Sequence, residues 1–338
     1  MSEGSEEIQR NRRPRVIVVG NANVDVLMGP VAPWPTPGTE VVTDRYELRV
    51  GGAAGNTGLA LAALAGADAP QARPFEVIGS VGDDALGRWL EGQLEGVMQL
   101  DRVPEATALT VGLNHPDGQR TFVSYLGHLE MLPVQRIEAA LAHAQAGDLL
   151  LLCGYFLLPQ LRELAPRWLA EARERGVVTT LDTGWPSEGW TPAVRAEVTA
   201  LLPHLSAFLP NREELLGLTD LPDSGRYEQE TVVEALQRLS DAGCYEAVIK
   251  LGPDGALHFG QGGHTTCAAP EVTVQDTVGA GDTFNAALLT AVQRGATFIS
   301  GMQAAVTAAS HAVASSPRRY PTWEELSTAG SSPVSVTR

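Results

Sequence analysis

The chain has 338 residues, of which 44% are hydrophobic and 19% are charged, and its formal net charge is −16 at pH 7. This composition predicts a soluble enzyme with one large α/β domain or two modest ones, and no apolar run approaches the ~18 residues that a membrane-spanning helix needs. The acidic charge argues against a nucleic-acid partner, because the averaged field of the protein would repel phosphates.

The two ends of the chain and the cysteines give little sign of special chemistry. Residues 1–13 are polar and charged without an apolar core, so we expect a disordered tail there rather than a signal peptide. A folded domain is expected over residues 14–328, followed by a tail over 329–338. Cys153, Cys244 and Cys267 are scattered and lack metal-ligand spacing, which indicates reduced thiols and a cytoplasmic protein.

Apolar strand-like segments alternate with helix-length segments along most of the chain. Strands are predicted over residues 16–20, 76–80, 148–153, 177–182, 207–210 and 247–251. Helices are predicted over residues 83–95, with Asp83 as a candidate N-cap, and over 159–175, 231–242 and 280–294. The alternation predicts an α/β fold: a doubly wound, mostly parallel sheet with helices on both faces.

A different pattern marks a second, smaller sheet. Residues 41–49 alternate like a half-exposed strand, and residues 109–115 and 119–125 form a predicted hairpin around Pro116-Asp117-Gly118. These pieces, within segments 35–50 and 107–126, predict a small separate β-sheet.

Two N-terminal runs combine glycine with amide and carboxylate side chains. The first strand runs into Asn21-Ala22-Asn23-Val24-Asp25, at the strand end where open α/β sheets bind ligands. Gly51-Gly52-Ala53-Ala54-Gly55-Asn56 leads into an Ala/Leu helix that ends at Gly66. A carboxylate with an amide suits a polyol, because each hydroxyl needs both a donor and an acceptor. A turn or cap role for Asp25 is the alternative.

The run Asp276-Thr277-Val278-Gly279-Ala280-Gly281-Asp282 lies where a helix begins. N–H groups in a first turn are unpaired and the helix dipole is positive there, so glycines let a phosphate come close. This indicates phosphoryl transfer, with the N–H groups of Gly279, Ala280 and Gly281 as an anion hole and Asp282 as general base. An ordinary N-cap is the alternative. No Gly-Lys-Ser/Thr follows, so the run is not a Walker A loop.

Asn211 and Glu214 lie three positions apart at the predicted start of a helix, so both face the same side. A glutamate there can hold the water shell of Mg²⁺, because Mg²⁺ keeps several waters and takes few protein ligands. The same two residues also fit a capping box. The two roles are compatible.

These motifs, in this order and spacing, resemble the ribokinase-like (PfkB) carbohydrate kinase family, to which Asn211-Arg212-Glu213-Glu214 contributes an Asn-x-x-Glu match. The resemblance covers about residues 15–326 and implies a kinase domain over 14–328 that uses Mg²⁺ with ATP. It implies that the small sheet is a lid over the sugar and often also a dimer surface. It assigns the sugar end to Asn23, Asp25, Gly51, Gly52 and Asn56, and the nucleotide side to Asn211, Lys250, Gly252 and Gly255.

In the same family, many members hold a monovalent cation near the late glycine run. Asp276 and the carbonyl of Val278 are the candidate ligands here. The other half of that site is normally a Gly-Ala-containing loop, whereas this chain has Ala314-Ser315-Ser316-Pro317. Dependence on K⁺ therefore stays open.

The favoured function is an ATP-dependent sugar kinase, and three alternatives remain. A nucleoside kinase of the same family would stack a base on Tyr46, Phe122 or Tyr125. A dinucleotide-dependent oxidoreductase is disfavoured because Gly20-Asn21-Ala22-Asn23 lacks the Gly-x-Gly-x-x-Gly fingerprint. A non-catalytic sugar-binding regulator is disfavoured by Asp282.

Overall fold

The structure is a computed structural model that describes residues 12–66, 74–116, 120–225, 228–328 and 335–337. Its strands are β1 (Val16–Val19), β2 (Asn23–Met28), β3 (Tyr46–Gly51), β4 (Phe75–Gly82), β5 (Gln99–Val103), β6 (Leu109–Asn114), β7 (Arg120–Tyr125), β8 (Leu149–Cys153), β9 (Val178–Asp182), β10 (Ala207–Phe208), β11 (Ala247–Lys250), β12 (Ala256–Gly260), β13 (Gly263–Cys267) and β14 (Ser335–Thr337). Its α-helices are α1 (Ala53–Ala65), α2 (Ala85–Gln93), α3 (Val134–Ala142), α4 (Pro159–Glu174), α5 (Pro192–Leu201), α6 (Arg212–Thr219), α7 (Gln229–Asp241), α8 (Ala280–Gln293), α9 (Phe298–Val313) and α10 (Trp323–Thr328).

The larger sheet has the spatial order β14-β13-β12-β11-β10-β9-β8-β1-β4-β5. Neighbouring strands from β5 to β11 run parallel, and β12, β13 and β14 continue the sheet antiparallel. Strands such as β8, with the sequence Leu-Leu-Leu-Leu-Cys, are apolar on both faces because helices cover the sheet on both sides. The predicted doubly wound α/β fold is confirmed.

Alternate residues of the central strands enter two separate hydrophobic cores. Ile17 and Val19 pack in the core formed with α3 to α7, whereas Val16 and Val18 pack in the core formed with α1, α2, α8 and α9. This alternation follows from the period of two along a strand. It fixes α1 and α8 on the same side of the sheet, and these two helices carry the glycine-rich runs.

The small sheet has four strands in the order β3-β2-β6-β7. The prediction of three pieces omitted β2, because residues 21–25 were interpreted as the end of the first strand. In the structure Asn23–Met28 pairs antiparallel with β3 and parallel with β6. Residues 41–45, predicted as strand, precede β3, and the predicted turn at residues 117–118 lies outside the described residues.

Several other boundaries differ from the sequence predictions. The N-cap of α2 is Asp84, not Asp83, and its side chain accepts a hydrogen bond from the Gly87 N–H at 2.7 Å. Residues 335–337 of the predicted C-terminal tail form β14, while residues 1–11 lie outside the described residues. Within the described ranges, no helix combines the length and apolarity required to cross a bilayer.

Candidate active site

A cavity of about 1400 Å³ opens at the C-terminal ends of the parallel strands, between the two sheets. Ligand cavities are commonly about 300–1000 Å³, so this one has room for two small ligands side by side. Most of the predicted site residues line it: Asn23, Asp25, Gly52, Asn56, Asn211, Glu214, Lys250, Gly252, Gly255, Val278, Gly279, Ala280, Gly281 and Asp282. Gly51 and Asp276 do not line it.

Asp282 lies in the first turn of α8, whose N-cap is Gly279. Its Oδ2 accepts a hydrogen bond from Asn56 Nδ2 at 3.0 Å, and no hydrogen bond from the described residues reaches Oδ1. Burial, followed by the nearby charge of Asp182, raises the pKa of Asp282 to about 7. One carboxylate oxygen is therefore held in place, and the other remains able to accept a proton near neutral pH.

The start of α8 offers backbone donors to the cavity. Gly279, Ala280 and Gly281 all line it, as the anion-hole prediction requires. The Ala280 N–H already points at the Thr277 carbonyl, at a long distance of 3.3 Å. An anion here would meet the N–H groups of the first turn together with the positive end of the helix dipole.

Lys250, at the end of β11, lies among three carboxylates. Its Nζ donates to Asp182 Oδ2 at 2.6 Å, and Asn285 Nδ2 donates to the same oxygen. Burial alone would lower the pKa of Lys250, but the charges of Asp182 and Glu214 raise it overall. Burial and Asp182 in turn raise the pKa of Glu214. Three carboxyl groups, those of Asp182, Glu214 and Asp282, surround the single ammonium group of Lys250. The excess of acidic groups attracts cations to this part of the cavity.

The opposite end of the cavity carries a chain of polar side chains from β1 to β2. Asn21 Nδ2 donates to Asn23 Oδ1 at 3.0 Å, and Asn23 Nδ2 donates to Asp25 Oδ1 at 2.8 Å. Burial raises the pKa of Asp25, although the positive charge of Arg49 on the paired strand lowers it in part. A Cβ at Gly51 would lie 2.2 Å from Asp25 Oδ1, so Gly51 leaves space for this carboxylate and does not reach the cavity itself.

Asn211 and Glu214 form a complete capping box at the start of α6. The Asn211 N–H donates to Glu214 Oε2 at 2.9 Å, and the Glu214 N–H donates to Asn211 Oδ1 at 2.8 Å. Glu214 also lines the cavity, so a second role at its surface is compatible with the cap. Gly252 and Gly255 line the same cavity in the turn that follows β11.

Two residues of the site have no counterpart among the sequence predictions. Asp182 is the last residue of β9. Asn23 and Asp25 were selected because polar residues at the ends of parallel strands often bind ligands, and the same reasoning applies to Asp182. Arg318 lies behind the cavity wall, where it contacts Asn56 and Asp276. No local sequence pattern marks it, because its partners are distant in the chain.

Comparison with known proteins relates this chain to kinases. Residues 13–325 match the profile described as "pfkB family carbohydrate kinase". The chain is 29% identical over 292 residues to "Uncharacterized sugar kinase YegV" of Escherichia coli, covering 84% of this chain and 83% of the relative. It is 28% identical over 299 residues to the aminoimidazole riboside kinase of Salmonella typhimurium, covering 83% and 81%.

A solved structure agrees with these relatives. Arabidopsis thaliana ribokinase, in complex with ribose and ATP, superposes with a TM-score of 0.77 at 25% identity, covering 93% of this chain and 98% of that one. The fold, the site and the relatives all indicate a kinase. None of them indicates an oxidoreductase or a non-catalytic regulator. The chain belongs to the pfkB family of carbohydrate kinases and is a phosphotransferase that acts on a sugar or a nucleoside.

Proposed function

We propose that the protein transfers the γ-phosphoryl group of ATP to a hydroxyl of a small carbohydrate, with Asp282 as general base. The supporting observation is the network of contacts through Asp282. Asn56 joins it to the polar end of the cavity, where Asn23 and Asp25 lie. On the other side, a Cβ on the adjacent Gly281 would lie 3.7 Å from Lys250 Nζ, next to the glycine turn. An acceptor at one end and a nucleotide at the other would meet at this carboxylate.

In this proposal Asp282 Oδ1 takes the proton of the acceptor hydroxyl as the new P–O bond forms. A hydroxyl has a pKa far above 7, so it attacks poorly unless a base removes the proton. The first-turn N–H groups of α8 would stabilise the charge on the transferring phosphoryl group. Asn56 orients the base by holding Oδ2 at 3.0 Å.

Mg²⁺ is the cation we propose to accompany ATP. The negative charge shared by Asp182, Glu214 and Asp282 around Lys250 suits a divalent cation that prefers oxygen ligands and keeps most of its water. Glu214 would hold this water shell, and the bound metal would neutralise charge on the phosphates. The neighbouring loop with Gly252 and Gly255, together with Asn211, would take the nucleotide.

The variant Glu214→Gln tests this role of Glu214. A neutral side chain attracts hydrated Mg²⁺ less, so we expect a higher Mg²⁺ concentration for half-maximal rate. The Asn211 N–H can still donate to the amide oxygen, but Asn211 Nδ2, which donates to Glu214 Oε1 at 2.9 Å, would lose its acceptor, so the melting temperature should fall only modestly. A Mg²⁺ titration and a melting curve of the same sample distinguish the metal role of Glu214 from the capping role. A loss of stability with an unchanged Mg²⁺ requirement would show that Glu214 is only a cap.

At the acceptor end we propose that Asp25 and Asn23 bind substrate hydroxyls, with Gly52 and Asn56 beside them. Asp25 is buried, and no hydrogen bond from the described part of the chain reaches its Oδ2, so this oxygen can accept from a hydroxyl. Gly51 has a supporting role, because it leaves room for Asp25.

A nucleoside is the second candidate acceptor. Phe122, on β7 of the small sheet, lines the cavity and is half exposed, so a base could stack on it. One of the matched relatives is itself an aminoimidazole riboside kinase. Neither Tyr46 nor Tyr125, also considered for stacking, lines this cavity.

A panel of sugars and nucleosides, tested for ADP release with Mg·ATP, separates these acceptors. We expect turnover with a sugar and weaker or no turnover with nucleosides. Thermal melting of the same mixtures reports binding without turnover. Preferred turnover of a nucleoside would replace the sugar proposal with its alternative, and ADP release from no member of a broad panel would contradict both.

The outer face of the small sheet is a candidate dimer surface. Val123 and Tyr125 alternate with Phe122 and so lie on the face away from the cavity, as does Tyr46 opposite Met28. Tyr46 is 76% exposed, Val123 61% and Tyr125 53%. A second copy of this chain would bury them. Sedimentation equilibrium at micromolar protein should show a dimer, and a monomer throughout would contradict this proposal.

A further inference from the structure

Asp276, just before α8, is held by two arginines from distant parts of the chain. Its Oδ2 accepts from Arg49 Nη1 at 2.5 Å and from Arg318 Nη2 at 3.3 Å, and its Oδ1 accepts from the Val278 N–H at 3.0 Å. The side chains of Asp276, Arg49 and Arg318 are 10%, 12% and 8% exposed. The group is therefore a shielded ion cluster with two positive charges on one carboxylate.

This cluster lies where the family resemblance predicts a monovalent cation, and its side chains do not fit one. A cation needs oxygen lone pairs, whereas three N–H groups already occupy most of those on Asp276: Oδ2 accepts from both arginines and Oδ1 accepts from the Val278 N–H. A third positive charge would also be repelled by the guanidinium groups of Arg49 and Arg318. This repulsion would be poorly screened, because the side chains are largely buried.

We propose that Arg318, supported by Arg49, supplies from within the chain the positive charge that a bound monovalent cation would otherwise give, so that the enzyme works without K⁺. This inference rests on the proposed kinase function. It assigns Arg318 a positioning role, because the guanidinium acts through neighbouring groups rather than on the substrate.

Two contacts connect Arg318 to the reacting groups. Arg318 Nη1 donates to Asn56 Oδ1 at 3.0 Å, and Asn56 Nδ2 donates to Asp282 Oδ2 at 3.0 Å. The amide of Asn56 is thereby fixed with its N–H side towards the base. The same guanidinium packs on Gly279, where φ is +73° and a Cβ would lie 2.6 Å from Arg318 Nη1. A cation behind Gly279 adds to the positive field at the start of α8.

The buried donors of these arginines support a functional origin. Arg49 Nε, Arg49 Nη2 and Arg318 Nε are buried without a hydrogen-bond partner among the described residues. Burying guanidinium groups with unsatisfied donors lowers stability. An internal counter-charge for the phosphoryl site would account for keeping two guanidinium groups at this buried position.

The wild-type protein gives the first test. At equal ionic strength in potassium, sodium or tetramethylammonium chloride, we expect the same kcat and kcat/KM with the best acceptor of the panel. K⁺ should also give no higher melting temperature than Na⁺, because the cluster around Asp276 leaves no place for K⁺ to bind. A rate or melting temperature that rises specifically with K⁺ overturns the inference. The melting comparison needs no turnover, so it stands even where the proposed kinase function fails.

The variant Arg318→Ala gives the second test. Losing a charged positioning contact should lower kcat by roughly 10- to 100-fold, and added guanidinium or K⁺ should restore part of the rate. The matched control is Arg319→Ala, since Arg319 is exposed, pairs with Glu325 and should change neither quantity. Full activity of Arg318→Ala without added cations, or a loss that no small cation restores, contradicts the inference. If Arg318→Ala does not fold, Arg318→Lys replaces it, and a K⁺ requirement in that variant counts against the proposal.

Discussion

We expect Asp282→Asn to lower kcat by a factor of about 10²–10⁴ while the KM for Mg·ATP scarcely changes. The amide has the shape of the carboxylate, and its oxygen can keep the hydrogen bond from Asn56, so the first turn of α8 is preserved. What is lost is the group that accepts the proton of the acceptor hydroxyl. Steady-state kinetics with the acceptor and the nucleotide varied in turn measure both quantities.

The pH dependence of kcat/KM and of the melting temperature gives an independent check on the role of Asp282. Because burial and Asp182 raise the pKa of Asp282 to about 7, the base is mostly protonated below that pH. The wild-type kcat/KM should rise with pH and level off above about 7. In Asp282→Asn this rise of kcat/KM with pH should be absent. A pKa raised from its ordinary value of 3.8 to about 7 in the folded state contributes stability that is fully present below pH 3.8 and is lost as pH rises to about 7. The melting temperature of the variant, relative to wild type, should therefore increase between these two pH values and then level off.

A surface aspartate provides the control for both measurements. Asp83 lies two residues before α2, and among the described residues its side chain makes only long ion pairs, at 3.8 and 3.9 Å, with two exposed arginines. Asp83→Asn should leave kcat and its pH dependence unchanged. Near wild-type turnover of Asp282→Asn would remove Asp282 from the chemistry.

We expect Asp25→Ala to lower kcat/KM for the acceptor by roughly 10- to 100-fold, since a hydrogen bond with a charged partner contributes about 1.5–3 kcal/mol. The KM for Mg·ATP should scarcely change, because the proposed nucleotide site is at the other end of the cavity, near Gly252. The variant also leaves Asn23 Nδ2 without its acceptor, so the melting temperature should fall modestly.

The two KM values separate binding from folding for Asp25. A purely structural role would lower stability and leave the KM of the acceptor alone. That outcome would contradict the assignment of Asp25 and Asn23 to the acceptor. Asp25→Asn, which keeps an oxygen for the Asn23 amide, should retain the stability of the wild type and still bind the acceptor more weakly.

The sequence predicted the central parallel strands of the large sheet because they are apolar on both faces, whereas β5, β12, β13 and β14 were not predicted. The runs over residues 148–153 and 177–182 correspond closely to β8 and β9, and the predicted helix over residues 280–294 corresponds to Ala280–Gln293. The strand β2 was missed because its polar residues, Asn23 and Asp25, also match the ligand-binding end of a preceding strand. In the structure they alternate with Val24 and Val26, which is the period of a strand with two different faces.

The loops around the site were harder to predict. Periodicity tells which side of an element is buried, but not which distant side chain lies against a loop. Gly279, Gly281 and Asp282 at the start of α8 were recognised, because the chemistry of a helix N-terminus depends on residues that are adjacent in the sequence. Arg318 was missed because its contacts, with Asn56, Asp276 and Gly279, join segments far apart in the chain. Asp182 carried the same local signal as Asp25 and was interpreted only as a strand end.

The connection between the two sheets bears on how the enzyme avoids wasting ATP. β1 ends at Val19 in the large sheet and β2 begins at Asn23 in the small one, so only residues 20–22 join them. Asn23 and Asp25 are therefore part of the small sheet, whereas Asp282 lies on α8, which packs against the large one. If the small sheet closes over a bound polyol, as we propose, β2 would bring the acceptor hydroxyl to the base. Water has no second hydroxyl for β2 to hold, so closure of this kind would favour transfer to the sugar over hydrolysis.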